Sequence, residues 1–260
     1  MFKNKKRMYP IAVDREIFPM FKKLAIADLK IKGLEKITQT HRDILDAIAL
    51  VGKRVPYRGD KSRLAFRFLI SEALRELGHN ELHNHAWLVS KLEELVSTTL
   101  RIEIQLPTRR GIIISAILQK VVRWEERKDE DLKPGECLAV CSEEFTALLL
   151  EDYLLYAKPE VIKAILNLKH EFLKLAVRYI LTDKKVFKKA ETLIREICPE
   201  ADKRLTWKYK QLLETHANYL NQHFGIKLKQ TSSGLLIEYQ RDPKFIAIDY
   251  KPDPYLNYST

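Results

Sequence analysis

Hydrophobic spacing changes period several times along this chain, and each change marks an element. From Thr40 the spacing is helical: Ile44, Leu45, Ile48 and Val51 recur on one face, Thr40 with Asp43 approximates a capping box, and Gly52 closes the helix. Leu64, Phe66 and Phe68 then alternate with Arg63 and Arg67, which predicts a short strand; an early turn of the next helix is the other reading. Ser71 is placed to cap a short helix ending at Leu77, with Gly78 as its stop, and another helix is predicted over about 85–96. The period then falls to two. Residues 98–106 alternate polar and apolar, 107–111 form a turn, and 112–124 read as a β-rich return.

Beyond a charged, apolar-poor loop at 125–134, Cys137-Leu138-Ala139-Val140-Cys141 predicts one more strand and 142–150 a helix. A break at Lys158-Pro159 precedes the longest helical pattern, 160–181. Residues 186–197 predict a helix stopped by Cys198-Pro199, and 203–224 a helix ended by Gly225. Residues 226–230 and 235–239 flank Thr231-Ser232-Ser233-Gly234, a hairpin turn. Helices followed by a hairpin therefore occur twice, and that order is the order of a winged helix-turn-helix. The fold class predicted is α+β, mainly α, as tandem winged helix-turn-helix domains. Its parts are a basic arm over 1–36, domains over 37–141 and 142–241, and a proline-bearing tail over 242–260.

Composition narrows the function. Lys and Arg number 46 against 35 Asp and Glu, a net charge of +11 with a pI near 9.4. Such an excess points to a polyanionic partner, although a Lys/Glu-rich composition also carries it as a matter of course. Eight glycines argue against Gly-rich nucleotide-binding architectures, and three cysteines form no disulfide framework. With no run of 18 apolar residues and no signal-peptide core after the basic start, a soluble, cytoplasmic protein is expected. The first 36 residues hold ten basic residues against four acids.

The second helix of each copy is where a helix-turn-helix reads DNA. On 203–224, Leu205, Tyr209, Leu212, Leu213, His216 and Leu220 cluster on one side. Arg204, Trp207, Gln211 and Asn218 then point away, with Lys203, Lys208 and Lys210 on the flanks. Arg and Gln have bidentate geometry for guanine and adenine edges, and Lys supplies phosphate contacts. Residues 203–230 carry six basic residues, including Lys227 and Lys229 in the wing, against the single acid Glu214. A merely solvated face is the blander reading of those charges. The first copy offers Lys91, with Asn84, His85 and Ser90, but also Glu93 and Glu94; its strongest basic feature is the wing tip Arg109-Arg110.

Several stretches resemble the plasmid replication initiators that bind iteron repeats with two winged-helix domains. They are Ile70-Ser71-Glu72-Ala73-Leu74-Arg75-Glu76-Leu77-Gly78, Lys91-Leu92-Glu93-Glu94-Leu95, and Leu168-Lys169-His170-Glu171-Phe172 through Arg178-Tyr179-Ile180-Leu181. Thr192-Leu193-Ile194 through Cys198-Pro199-Glu200 resembles the family's short helix, and the basic stretch 203–211 its recognition helix. The resemblance covers about 37–241 and rests on hydrophobic patterns rather than a catalytic signature. It implies binding to double-stranded origin repeats, origin opening with a host initiator and helicase, and a monomer–dimer switch through the first domain. It also implies that the second domain makes the main major-groove contacts.

Enzymatic readings fare worse. His83-Asn84-His85 puts a polar residue between the histidines of a would-be nickase metal site and sits in a turn, and although Tyr153 and Tyr156 are spaced as a tyrosine pair, no acidic third ligand is suggested for the metal. Cys137 and Cys141 on a strand are about 13 Å apart, too far for one zinc ion. No catalytic activity, metal or cofactor is expected, and the competing function is a tandem winged-helix transcriptional regulator.

Overall fold

A computed structural model describes residues 28–32, 38–79, 84–105, 110–123, 132, 135–143, 146, 156–232 and 234–247. The chain forms two compact units that divide between Leu154 and Leu155. The expected boundary at 141/142 falls inside the first unit, because the chain just beyond Cys141 is tied into it. The Ser142 N–H donates to the Ile117 carbonyl (3.2 Å), and the buried Thr146 hydroxyl accepts from the Leu64 N–H (3.1 Å).

The first unit runs β1 (Asp28–Lys32), α1 (Gln39–Val51), β2 (Lys53–Tyr57), β3 (Asp60–Leu69), α2 (Ile70–Glu76), α3 (His85–Ser97), β4 (Thr99–Gln105), β5 (Arg110–Ala116), β6 (Leu118–Arg123) and β7 (Glu136–Cys141). Helix α1 is capped at Thr38 rather than Thr40: the Thr38 N–H donates to His41 Nδ1 (3.1 Å), a histidine doing what Glu or Gln does in a capping box. Strand β3 is longer than the alternation of 64–68 predicts and pairs with β2, which the hydrophobic pattern does not announce. Their turn is Arg58-Gly59, with Arg58 at φ 52, a conformation an arginine seldom signals. Two antiparallel sheets result, ordered β1-β4-β5 and β2-β3-β7-β6. Leu64, Phe66 and Phe68 of β3, with Cys137, Ala139 and Cys141 of β7, pack against α1, α2 and α3. Ala65, Leu138 and Val140 meet Tyr57, Val122 and Leu132 on the other face. Burial on both faces is why 137–141 is an unbroken apolar run.

Within the expected arm, Asp28–Lys32 is a strand paired with β4, Leu29 opposite Ile104 and Ile31 opposite Ile102. The signal was there: Leu29 and Ile31 alternate with Asp28, Lys30 and Lys32. The rest of the arm, 1–27 and 33–36, lies outside the described residues, as do most of the 125–134 loop and most of the 142–150 helix.

The second unit runs β8 (Tyr156–Ala157), α4 (Pro159–Leu166), α5 (Glu171–Leu181), β9 (Lys185–Lys189), α6 (Ala190–Ile197), α7 (Lys203–Thr215), α8 (Ala217–Phe224), β10 (Lys227–Thr231), β11 (Gly234–Gln240) and β12 (Ile246–Ala247). The helix expected over 160–181 is two helices, parted where His170 turns extended (φ −106, ψ 121). Ile165, Leu166 and Leu168 before the break and Phe172 and Leu173 after it are all buried, so the apolar rhythm runs across it. The helix expected over 186–197 begins only at Ala190. Before it lies β9, where buried Val186 alternates with exposed Lys185, Phe187 and Lys189, a period of two. β9 pairs antiparallel with β11, and β11 with β10, giving the sheet order β10-β11-β9. Of the expected tail, Ile246–Ala247 pairs with β8; 248–260 lies outside the described residues.

Eight helices and twelve strands among the described residues make the chain mixed α/β, and every strand pair is antiparallel. The expectation of a mainly helical fold is corrected by β1, β2 and β9, three short strands in polar-rich segments.

Candidate nucleic-acid interface

Helix α7 is held from both ends and from below. Its N-cap Asp202 accepts from the Leu205 N–H (2.7 Å), and Tyr209 stacks on Phe172 of α5 with ring centroids 3.8 Å apart and planes 5° off parallel. Leu213 is buried beneath it. At its end, His216 adopts a turn conformation with Nδ1 2.9 Å from the Leu212 carbonyl, splitting the expected 203–224 helix into α7 and α8. Asn218 therefore belongs to α8, not to the α7 face.

With the inner side committed, Lys203, Arg204, Trp207, Lys208 and Gln211 are exposed along the outer side, Trp207 to 63%. The exposed indole stands among three cations, Lys203, Arg204 and Lys208. Lys203, Thr206 and Trp207, with Glu191 and Arg195 of α6, border a cleft of about 270 Å³. Lys203, Arg204 and Lys208 make no ion pair among the described residues. Other candidates are already engaged. Lys210 bonds Glu191 (2.6 Å), and that hydrogen bond holds the Glu191 carboxyl below the usual carboxylate range. Gln211 donates to Glu214 (3.0 Å), and Lys229 of β10 pairs with Glu238 of β11 (2.7 Å). Lys227 is exposed on the same strand.

In the first unit, Leu88, Leu92 and Leu95 anchor α3, and its Lys91 and Glu94 are engaged with each other and with α1. Lys91 pairs with Glu94, whose other oxygen lies 2.9 Å from Nε2 of buried His41. Because His41 Nδ1 accepts from Thr38, Nε2 carries the proton given to Glu94. The hydrogen bond from Lys91, with the Lys91 charge and the hydrogen bond from His41, keeps the Glu94 carboxyl below its ordinary range against the opposing effect of burial. Arg109 and the Arg110 side chain lie outside the described residues, although Arg110 opens β5.

His83 and Tyr153 likewise lie outside them. All three cysteines are buried, and burial pushes the Cys141 thiol up to about 12. Among the described residues no three His, Cys, Asp or Glu side chains are grouped to hold a metal ion, and no helix is long and apolar enough to cross a membrane. Reading 186–197 as helix hid one feature: the exposed Phe187 among the lysines of β9, which only the two-residue period of 185–189 betrays.

No protein-family model and no curated protein matches the chain. Among solved structures it is similar to a selenomethionine crystal structure of domains 2 and 3 of RctB, at 13% identity and a TM-score of 0.53, over 79% of this chain and 83% of that one. A further crystal structure of RctB domains 2–3 aligns at 12% identity and a TM-score of 0.49, over 85% and 86% of the two chains. At such identity the first likeness shows the fold alone: the mixed α/β architecture here is shared with a two-domain fragment of another protein.

Proposed function

We propose that this chain is a DNA replication initiator that binds origin repeats in double-stranded DNA through two winged-helix domains. α7 lies in the major groove and the β10–β11 hairpin on the phosphates. The observation that carries the reading is the outer face of α7: Arg204 and Gln211 carry bidentate groups, Trp207 is exposed beside them, and Lys203 and Lys208 are exposed cations with no ion pair among the described residues, suited to phosphates. The second unit supports it with the order α5–β9–α6–α7–α8–β10–β11 and a hairpin sheet completed by β9. The first unit contributes backbone contacts and self-association, in keeping with an α3 whose Lys91 is already paired. Origin opening with a host initiator and helicase follows from the resemblance to iteron-binding initiators, and neither step calls for a catalytic residue or cofactor.

The test is binding of the full chain to a duplex carrying direct repeats of about 20 bp, two helical turns, against a scrambled duplex. Affinity falls with salt at a log–log slope of roughly −4 to −8, as counterion release at that many phosphates requires. Salt-insensitive binding, or none to any duplex, sinks the reading. Sedimentation with and without a repeat then asks whether the free protein dimerises and the bound form is one chain per repeat.

A further inference from the structure

Strand β9 is an edge. It pairs with β11 on one side, and among the described residues no strand pairs with its other side. The Arg241 N–H donates to the Lys184 carbonyl (2.8 Å), so 184 and 241 form a hydrogen-bonded pair just beyond the register that sets Lys185 opposite Gln240. Hydrogen-bonded and non-hydrogen-bonded pairs alternate along an antiparallel ladder. Val186 and Lys188 therefore bond β11, whereas Lys185 and Phe187 turn their N–H and C=O groups, and Lys189 its N–H, toward the open edge. That row of backbone groups is a template for one more strand.

The side chains on that edge carry a pattern. Lys185, Phe187 and Lys189 share the outer face and are exposed, Phe187 to 65%, while Val186 and the Lys188–Glu196 pair (2.8 Å) occupy the inner one. Neither Lys185 nor Lys189 makes an ion pair among the described residues; Lys189 acts on Glu191 through its charge alone. Lysines on an edge strand keep neutral and like-charged strands away. That guard needs no aromatic ring between them, whereas a strand of opposite charge gains apolar surface to bury there. A second copy of this chain is the wrong occupant. An antiparallel β9–β9 pair centred on Phe187 sets Lys185 of one copy opposite Lys189 of the other, and like charges directly opposite destabilise a ladder.

We propose that β9 is a docking edge for an extended acidic segment of a partner protein, added as one more strand to the β10-β11-β9 sheet. The segment carries an acid, any residue, an apolar side chain, any residue and a second acid. Its acids then face Lys185 and Lys189, its apolar side chain packs on Phe187, and backbone hydrogen bonds supply affinity that needs no particular sequence. The pattern reads the same in both chain directions, so a parallel and an antiparallel strand both satisfy it. β11 separates this edge from β10, the strand that carries Lys227 and Lys229, and the site does not rest on the duplex reading.

The experiment titrates the full chain into a fluorescent peptide with the core Glu-Thr-Val-Thr-Glu, and into a control peptide with Lys in place of both Glu. The acidic peptide binds and the lysine peptide does not. Phe187→Ala weakens binding about tenfold. Lys185→Glu combined with Lys189→Glu releases the acidic peptide and takes up the lysine one, an exchange that facing charges produce. Hydrogen exchange at the Lys185 and Phe187 N–H groups slows in the complex, as pairing along the edge requires. Duplex affinity is unchanged in Phe187→Ala. The proposal is overturned if the acidic peptide does not bind, if the wild type takes both peptides alike, if Phe187→Ala binds as the wild type does, or if the charge reversal exchanges nothing. It falls as well if Phe187→Ala weakens the duplex or abolishes self-association, since the edge then serves DNA or a second copy. A chain that binds the peptide but no duplex loses the function proposed above and keeps this site. The three substituted side chains are exposed, and circular dichroism of each variant establishes that it is folded.

Discussion

Both units follow helices with a hairpin, yet they complete that hairpin differently and use their charges differently. In the first unit the β4–β5 hairpin takes its third strand from β1, far upstream, while β3 joins a separate four-stranded sheet. In the second, β11 takes β9 from between α5 and α6. α3 carries Lys91 bound to Glu94, and Glu94 bound to His41; α7 carries Lys203, Arg204 and Lys208 on an open face. A similar order of elements thus yields one helix whose lysine is paired internally and another whose outer cations are available. Counting basic residues would not have separated them as well, since Lys210, Lys229 and Lys91 count the same as Lys203 until their partners are seen.

Substitution on the two helices tests that contrast most directly, and gives the largest effect. Arg204→Ala is expected to cost about 1–3 kcal/mol of affinity for a cognate repeat, with discrimination lost at particular base pairs. Gln211→Ala should fall at the lower end, since Gln211 must first leave Glu214. Lys91→Ala should leave specificity intact. Binding to cognate and scrambled duplexes decides it; specificity lost at Lys91 and kept at Arg204 would reverse the ranking of the units.

Helix ends offer a second comparison. Gly78 beyond α2 and Gly225 after α8 both have positive φ, +71 and +70, so alanine at either costs about 1–2 kcal/mol of stability for the left-handed backbone. At Gly78 a Cβ meets nothing within 4 Å, whereas at Gly225 it would lie 2.9 Å from the Phe245 ring. Gly225→Ala should therefore be the more destabilising in a denaturant titration; equal losses would mean that Phe245 yields freely.

Salt dependence resolves smaller differences. Lys203→Ala should flatten the log–log slope by about one unit. Lys229→Ala and Lys210→Ala should flatten it by less, because each already neutralises a carboxylate. Equal slopes for all three would show that the ion pairs dissolve on binding.

The smallest effect is in acid. Glu94 and Glu191, one in each unit, are both held below the ordinary value of 4.5 by a lysine hydrogen bond. Their contribution is present above about pH 4.5 and lost as pH falls through the lower folded value. Both are partly exposed, so each contributes under about 1 kcal/mol. Glu94→Gln and Glu191→Gln should each flatten the acid limb of stability slightly and to a similar extent, and a variant with the wild-type limb would remove that carboxylate from the account.

The α7 face was legible in advance because its pattern is strong and local: Tyr209 and Leu213 turn inward, so Arg204, Trp207 and Gln211 must turn out. The hairpin at 227–240 was legible for a like reason, with Ser and Gly marking its turn between alternating runs. β9 was not, since five residues with a single buried valine read equally well as the start of the helix that comes after. The breaks at 167–170 and 216 were hidden because the apolar rhythm on either side serves one core.

By itself the sequence determined the helices and strands whose apolar period is sustained, the basic excess, and the side of α7 that faces out, because those depend on neighbours a few residues away. Only the tertiary structure decided which strand completes each hairpin, which cations are already paired, and that Phe187 stands opposite Glu238 on the hairpin sheet. Those are meetings between residues distant in the chain, and a pattern of period two or 3.6 says which way a side chain points but not what it meets.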